Sequence, residues 1–158
     1  MNDTERNSQI IKALAKAYNM ELETVANYIA LSVNLDGVRA KHIKNELAAD
    51  IATELQHAQI IARRIKTIGG IVPGSLELAL DQTALQPTSD ITDIESVIRG
   101  VIAAEEAAIA QYKKIIELAG GIDPATEDLA ITSLADEEEH RRDFIGFLKE
   151  VEAGRIAA

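Results

Sequence analysis

Apolar residues recur in steps of three and four through four long stretches of this chain. Each of the four stripes is interrupted by a glutamate where the spacing calls for an apolar side chain. A stripe of that period is one face of an α-helix. Four such faces can leave water only by packing on one another. The expected fold is therefore all-α, an antiparallel four-helix bundle in a single domain over 1–158.

The first stretch, roughly 5–35, carries Leu14, Tyr18, Glu21, Val25, Tyr28 and Leu35, and ends at the short turn "LDGV". The second, 37–68, carries Leu47, Ile51, Glu54, Ala58, Ile61, Ile65 and Ile68, with Gly69 or Gly70 as its stop. The third, 93–119, carries Ile94, Ile98, Ile102, Glu105, Ile109, Tyr112 and Ile116. It opens on "TDIE", which reads as a capping box with Thr92 as cap and Glu95 reaching back. The fourth, 124–153, carries Ile131, Leu134, Glu137, His140, Phe144 and Leu148, with Asp123 as cap and Pro124 in its first turn. Between Gly69 and about Thr92 the pattern fails at Pro73, Gly74 and Pro87, although "LELALDQTAL" suits a short helix. A connection this long suits a crossover joining parallel helices at opposite ends of the bundle.

Composition narrows the function classes. The net charge of −10 repels phosphate backbones and anionic lipid, so direct nucleic-acid or membrane binding is not expected. No cysteine is present, which removes disulfides and thiolate metal sites. No apolar run reaches the roughly 18 residues of a membrane span. The polar start "MNDTERNSQ" is unlike a signal peptide. The expectation is a soluble, cytoplasmic protein.

Helix geometry chooses among neighbouring glutamates, because residues seven apart share a face. Glu105 has Ile98 and Tyr112 at those offsets and points inward; Glu106 has Arg99 and Lys113 and faces solvent. Both Glu137 and Glu138 have apolar residues seven away. The histidine decides for Glu137, since residues three apart are neighbours on a helix and can share one ion. Glu138 and Glu139 are read as a solvated acidic face. "ELQH" repeats the motif with Glu54 and His57, whereas His42 has Arg39 before it and is read as a surface residue. Tyr18 is read as core packing, and Asp50, one turn before Glu54, as a surface residue with a weaker role in passing cations inward.

The two halves match. Glu21 stands seven before Tyr28 and Glu105 seven before Tyr112, and each pair is followed on the next helix by Glu-x-x-His. Buried carboxylates must be paired, protonated or metal-bound. Lys and Arg are absent from the inward positions. Four glutamates balance two divalent cations, and two histidines complete the set. Carboxylate with imidazole suits iron or manganese, and sulfur-free donors argue against a closed structural zinc site.

This pattern resembles the ferritin-like di-iron carboxylate family, and within it the bacterioferritin branch, from about Met20 to Leu148. The resemblance implies that Glu21, Glu54, His57, Glu105, Glu137 and His140 are the metal ligands. Glu54 and Glu137 would bridge two iron ions, with manganese or zinc as substitutes, and Tyr28 and Tyr112 would support ligand carboxylates. It also implies a ferroxidase: Fe(II) oxidised by O2 or peroxide, with ferric iron stored in a hollow homo-oligomer. Two departures are visible. Bacterioferritins carry a haem-ligating methionine directly after the first glutamate of the second helix; here that residue is Leu55, Met20 lies on another helix and Met1 is the start, so no haem is expected. Only 18 residues follow His140, so the fifth helix of the large cage is expected to be short or absent. A dimer, a 12-subunit and a 24-subunit shell are all compatible with this reading. Rival functions on the same bundle are a peroxidase, manganese catalase or oxygenase, or a non-catalytic metal-binding protein.

Overall fold

A computed structural model describes residues 2–154. Four helices, α1 (Asp3–Asn34), α2 (Ala40–Thr67), α3 (Ile94–Ala119) and α4 (Pro124–Glu152), account for most of it. The helix expectations hold within a few residues at each end. Met1 and 155–158 lie outside the described residues, so the single-domain expectation over 1–158 and the fifth-helix expectation concern them in part. No described helix is long and apolar enough to cross a membrane.

The helix ends are set locally. α1 starts two residues earlier than expected because Asn2 caps it: its side chain accepts from the Glu5 amide, and Glu5 reaches back to the Asn2 amide. α2 starts later than expected, at Ala40, after a turn in which Gly37 takes φ +104°. Gly69 ends that helix at φ +89°. The cap of α3 is Asp93, which accepts from the Ser96 amide, rather than Thr92. Thr92 is engaged elsewhere, with its amide and hydroxyl on Asp90. Asp123 caps α4 as expected, accepting from the Thr126 amide.

Cross-helix contacts give the topology. Gln111 donates to the Ala13 carbonyl, so α3 runs antiparallel to α1. Arg64, near the end of α2, holds Asp123 and Thr126 at the start of α4. The α1/α2 and α3/α4 pairs are the two closely packed hairpins, α1 packs along α3, and α2 meets α4 along a thinner seam. The expected antiparallel bundle is present, with α2 and α3 parallel and joined by the crossover.

Two apolar clusters fill the interior. One gathers Leu31, Leu47, Ile98, Val101 and Phe144; the other gathers Leu14, Ile61, Ile65, Ile115 and Ala130. Truncating one of these fully buried aliphatic side chains to alanine costs about 2–5 kcal/mol. Ile131, expected on the α4 stripe, is instead half exposed.

The crossover contains a single 3-10 turn, Ser75–Glu77, and not the short helix expected from "LELALDQTAL". Leu76 and Leu80 are exposed, while Leu85 at the end of the stretch is buried in the first cluster. Side chains of α1 hold the segment extended. Asn19 pairs with both the amide and the carbonyl of Ala79. The Gln82 amide donates to Glu23, and its side chain reaches Thr24, the Met20 carbonyl and Asn27. On the other side a Cβ at Gly100 would lie 2.5 Å from the Ala84 carbonyl oxygen, so only glycine lets the crossover sit this close to α3.

Candidate metal centre

The glutamates that break the apolar stripes meet in one layer between the two clusters. Glu21, Glu54, Glu105 and Glu137 are each at most 2% exposed, although each is a carboxyl in an otherwise apolar position. His57 is buried and His140 partly buried. Glu106, Glu138 and Glu139 face solvent, as expected. His42 is on the surface near Glu46, and Tyr18 packs against the second cluster.

The six side chains form two overlapping groups. Glu21, Glu54, His57 and Glu137 make one; Glu54, Glu105, Glu137 and His140 make the other. In each, donor atoms from all four residues lie within 4.8 Å of one another. Glu54 and Glu137 belong to both. Nδ1 of His57 lies 2.9 Å from Glu137, 3.6 Å from Glu54 and 3.7 Å from Glu21. Nδ1 of His140 lies 3.2 Å from Glu54, 3.7 Å from Glu137 and 3.9 Å from Glu105.

The phenols cross between halves. Tyr28 donates to Glu105 at 2.6 Å, and Tyr112 donates to Glu21. Burial, then the facing glutamate, pushes both phenols well above their ordinary pKa, so they stay protonated and donate. Each therefore fixes the carboxyl contributed by the other half.

Two aspartates complete the surroundings. Asp136 lies 2.9 Å from Nε2 of His57, and Asp50 lies 3.7 Å from Nε2 of His140. Such carboxylates orient an imidazole so that Nδ1 faces inward. Asp136 has no counterpart in the periodicity argument; its only sequence signal is its place directly before Glu137. Asp50, expected mainly as a surface residue, is half-buried against His140.

The protonation pattern follows from burial and mutual contact. Burial pushes Glu21 well above the carboxylate range, reinforced by Glu54; burial does the same to Glu105, reinforced by Glu137. Burial also acts upward on Glu54 and Glu137. The histidines override it at Glu54, and Glu105 with both histidines does so at Glu137, holding both below the ordinary value. Burial disfavours charge on the histidines, but Glu137 with Glu21 and Glu54 raises His57 far above the ordinary imidazole value, and Glu137 with Glu54 raises His140 to about 10. Asp50 is raised to about 6, chiefly by burial. These shifts favour two buried His–carboxylate ion pairs with the protonated forms of Glu21 and Glu105 beside them.

The donor set fits divalent metal ions. Glu54 Oε1, Glu137 Oε1, His57 Nδ1 and His140 Nδ1 are buried, make no well-aligned hydrogen bond and belong to the overlapping groups. They face one another as His57 Nδ1 with Glu137 Oε1 and His140 Nδ1 with Glu54 Oε1, so an ion in either group would take over donor atoms that otherwise only pair among themselves.

Comparison with known proteins bears on the fold and the family. The sequence profile of the ferritin-like domain matches residues 11–153. A protein from Pyrococcus furiosus named DNA protection during starvation protein is 28% identical over 136 residues, covering 84% of this chain and 72% of the relative. Among solved structures, a dodecameric thioferritin, the bacterioferritin-related protein from Bacteroides fragilis, superposes with TM-score 0.82 at 25% identity, over 94% of this chain and 89% of that one. A Dps protein from Vibrio cholerae O1 gives TM-score 0.81 at 19% identity over 92% of each chain, a likeness of fold.

Proposed function

Because this chain belongs to the ferritin-like family, its profile spanning residues 11–153, we propose that the protein binds two Fe(II) ions and oxidises them for iron storage or detoxification. In this reading Glu21, Glu54, His57, Glu105, Glu137 and His140 are the ligands and the groups that support oxidation. Glu54 and Glu137, common to both groups, would serve both ions, with Glu21 and His57 holding one and Glu105 and His140 the other. The observation that carries it is the sharing of Glu54 and Glu137 between two buried donor groups.

Fe(II) enters as substrate. Each ion gives up one electron. With O2 as acceptor, two electrons and two protons leave as hydrogen peroxide; with peroxide, two electrons and two protons leave as two waters. The protein's part is to hold ligand count and geometry in a water-poor layer. Tyr28 and Tyr112 keep the terminal carboxyls in place, and Asp136 and Asp50 orient the imidazoles. Carboxylate with imidazole also suits manganese.

We place the protein in the cytoplasm as a homo-oligomer. The Bacteroides fragilis relative is dodecameric by its description. Exposed Ile29 and Val33, one turn apart on α1, and Leu55 on α2 are apolar side chains suited to burial against another copy. Protection of DNA, as in the name of the Pyrococcus furiosus relative, would come here from removing Fe(II) and its oxidant and not from contact with DNA. Aerobic Fe(II) titration tests the reading: storage retains many irons per chain, whereas an enzyme that only turns over saturates at two. Unchanged Fe(II) oxidation in Glu54→Ala and Glu137→Ala would overturn the ligand assignment.

A further inference from the structure

A pocket of about 300 Å³ opens between α1, α3 and the crossover, on the opposite side of the bundle from Asp50 and Asp136. Its apolar lining is Met20, Ala103, Ala104, Ala107 and Leu85. Met20 and Ala104 directly precede Glu21 and Glu105, the two carboxyls that each belong to only one donor group. The pocket therefore lies at the level of the centre, on the flank of the two helices that carry Glu21 and Glu105.

The polar groups around it are few, and the most central one is already engaged. Gln82 spends its side chain on Thr24, Asn27 and the Met20 carbonyl. The remaining polar lining, Lys16, Asp81 and Thr83, is exposed at the rim. A site that selects a polar substrate needs several converging donors and acceptors. A small apolar molecule needs none, and it partitions from water into such a space.

We infer that this pocket is the station from which dioxygen reaches the centre, with Met20, Ala104 and Ala107 setting its access. The inference rests on the functional reading above and names the oxidant left open there. Hydrogen peroxide is polar and is served by the α2/α4 seam, where Asp136, Asp50 and His140 are all partly exposed. The two oxidants thus approach from opposite sides of the bundle.

The test fills the pocket from α3, at exposed positions where leucine is as good a helix former as the position requires. Ala107→Leu and the double variant Ala103→Leu with Ala107→Leu are compared with the native chain. Metal-free protein is exposed to xenon and followed by 129Xe NMR and by crystals under xenon pressure, since dry apolar cavities take up this atom. Xenon should occupy the native pocket and be displaced in the variants. Co(II) binding spectra should be unchanged, kcat/KM for O2 should fall about tenfold, and the rate with peroxide should hold. The inference is overturned if the native pocket takes no xenon, if the O2 rate survives filling, or if both oxidant rates fall together. A native chain that takes up xenon and loads Co(II) but oxidises Fe(II) with neither oxidant overturns the functional reading, and that result is seen without any variant.

Discussion

Loading the metal-free centre at neutral pH should expel about four protons for each pair of divalent ions. The count comes from the buried layer itself. The carboxylates around His57 and His140 favour their protonated forms, and burial favours the protonated forms of Glu21 and Glu105. Glu54 and Glu137 are already ionised. Two dications that take all six residues as ligands require every one of these protons to leave, and the layer is electrically neutral before and after. Each proton released makes binding stronger by about 1.4 kcal/mol per pH unit, so lowering the pH by one unit should weaken the pair by about 5.5 kcal/mol, shared over two ions. Anaerobic titration calorimetry with Co(II), in two buffers of different ionisation enthalpy, reads the count directly. Release of one proton or fewer per pair would refute the reasoning, because it would mean neutral imidazoles and ionised terminal carboxyls before any metal arrives.

Without metal, stability should fall as pH rises from near neutral toward 10. The raised histidines stabilise fully below about pH 6.5 and lose that contribution as pH passes through their folded values, about 10 for His140, while the raised Glu21 and Glu105 add a penalty that grows above the ordinary carboxylate range. Thermal melts in chelator across that window check the sign, and a rising trend would contradict it. Glu54→Gln should abolish retention of both ions while Glu21→Gln leaves about one per chain, as read by elemental analysis after desalting. Gly100→Ala should destabilise by about 1–3 kcal/mol although alanine is the better helix former, because its Cβ would meet the Ala84 carbonyl oxygen at 2.5 Å; urea melts measure it.

The parts that were legible in the sequence are those governed by a single helix. Seven-residue spacing separates Glu105 from Glu106 without reference to any partner, and the Glu-x-x-His spacing selects Glu137 over Glu138. What was illegible depends on a second segment. Thr92 and Asp93 are both good caps, and the choice went to Asp93 because Asp90 had already engaged Thr92. The crossover looked helical from its leucine-rich composition, but Leu76 and Leu80 stay exposed, Leu85 alone in that stretch is fully buried and reaches the core, and side chains of α1 hold the backbone extended. Asp136 acquires its role only when α2 brings His57 beside it. That Tyr28 serves Glu105 and Tyr112 serves Glu21 follows from the antiparallel pairing of α1 with α3, which no local pattern encodes.

Neither donor group is completed by one hairpin. Glu21, Glu54 and His57 come from α1 and α2, yet their fourth member is Glu137; Glu105, Glu137 and His140 come from α3 and α4, yet theirs is Glu54. A captured ion is consequently a rivet through the two hairpins, and it spans the α2/α4 seam, where the helices approach along less of their length than α1 and α3 do. Iron starvation would leave the halves intact and loosen the join between them. Amide protons facing that seam would exchange first, so the state of iron supply would be written into the mechanical stiffness of the protein.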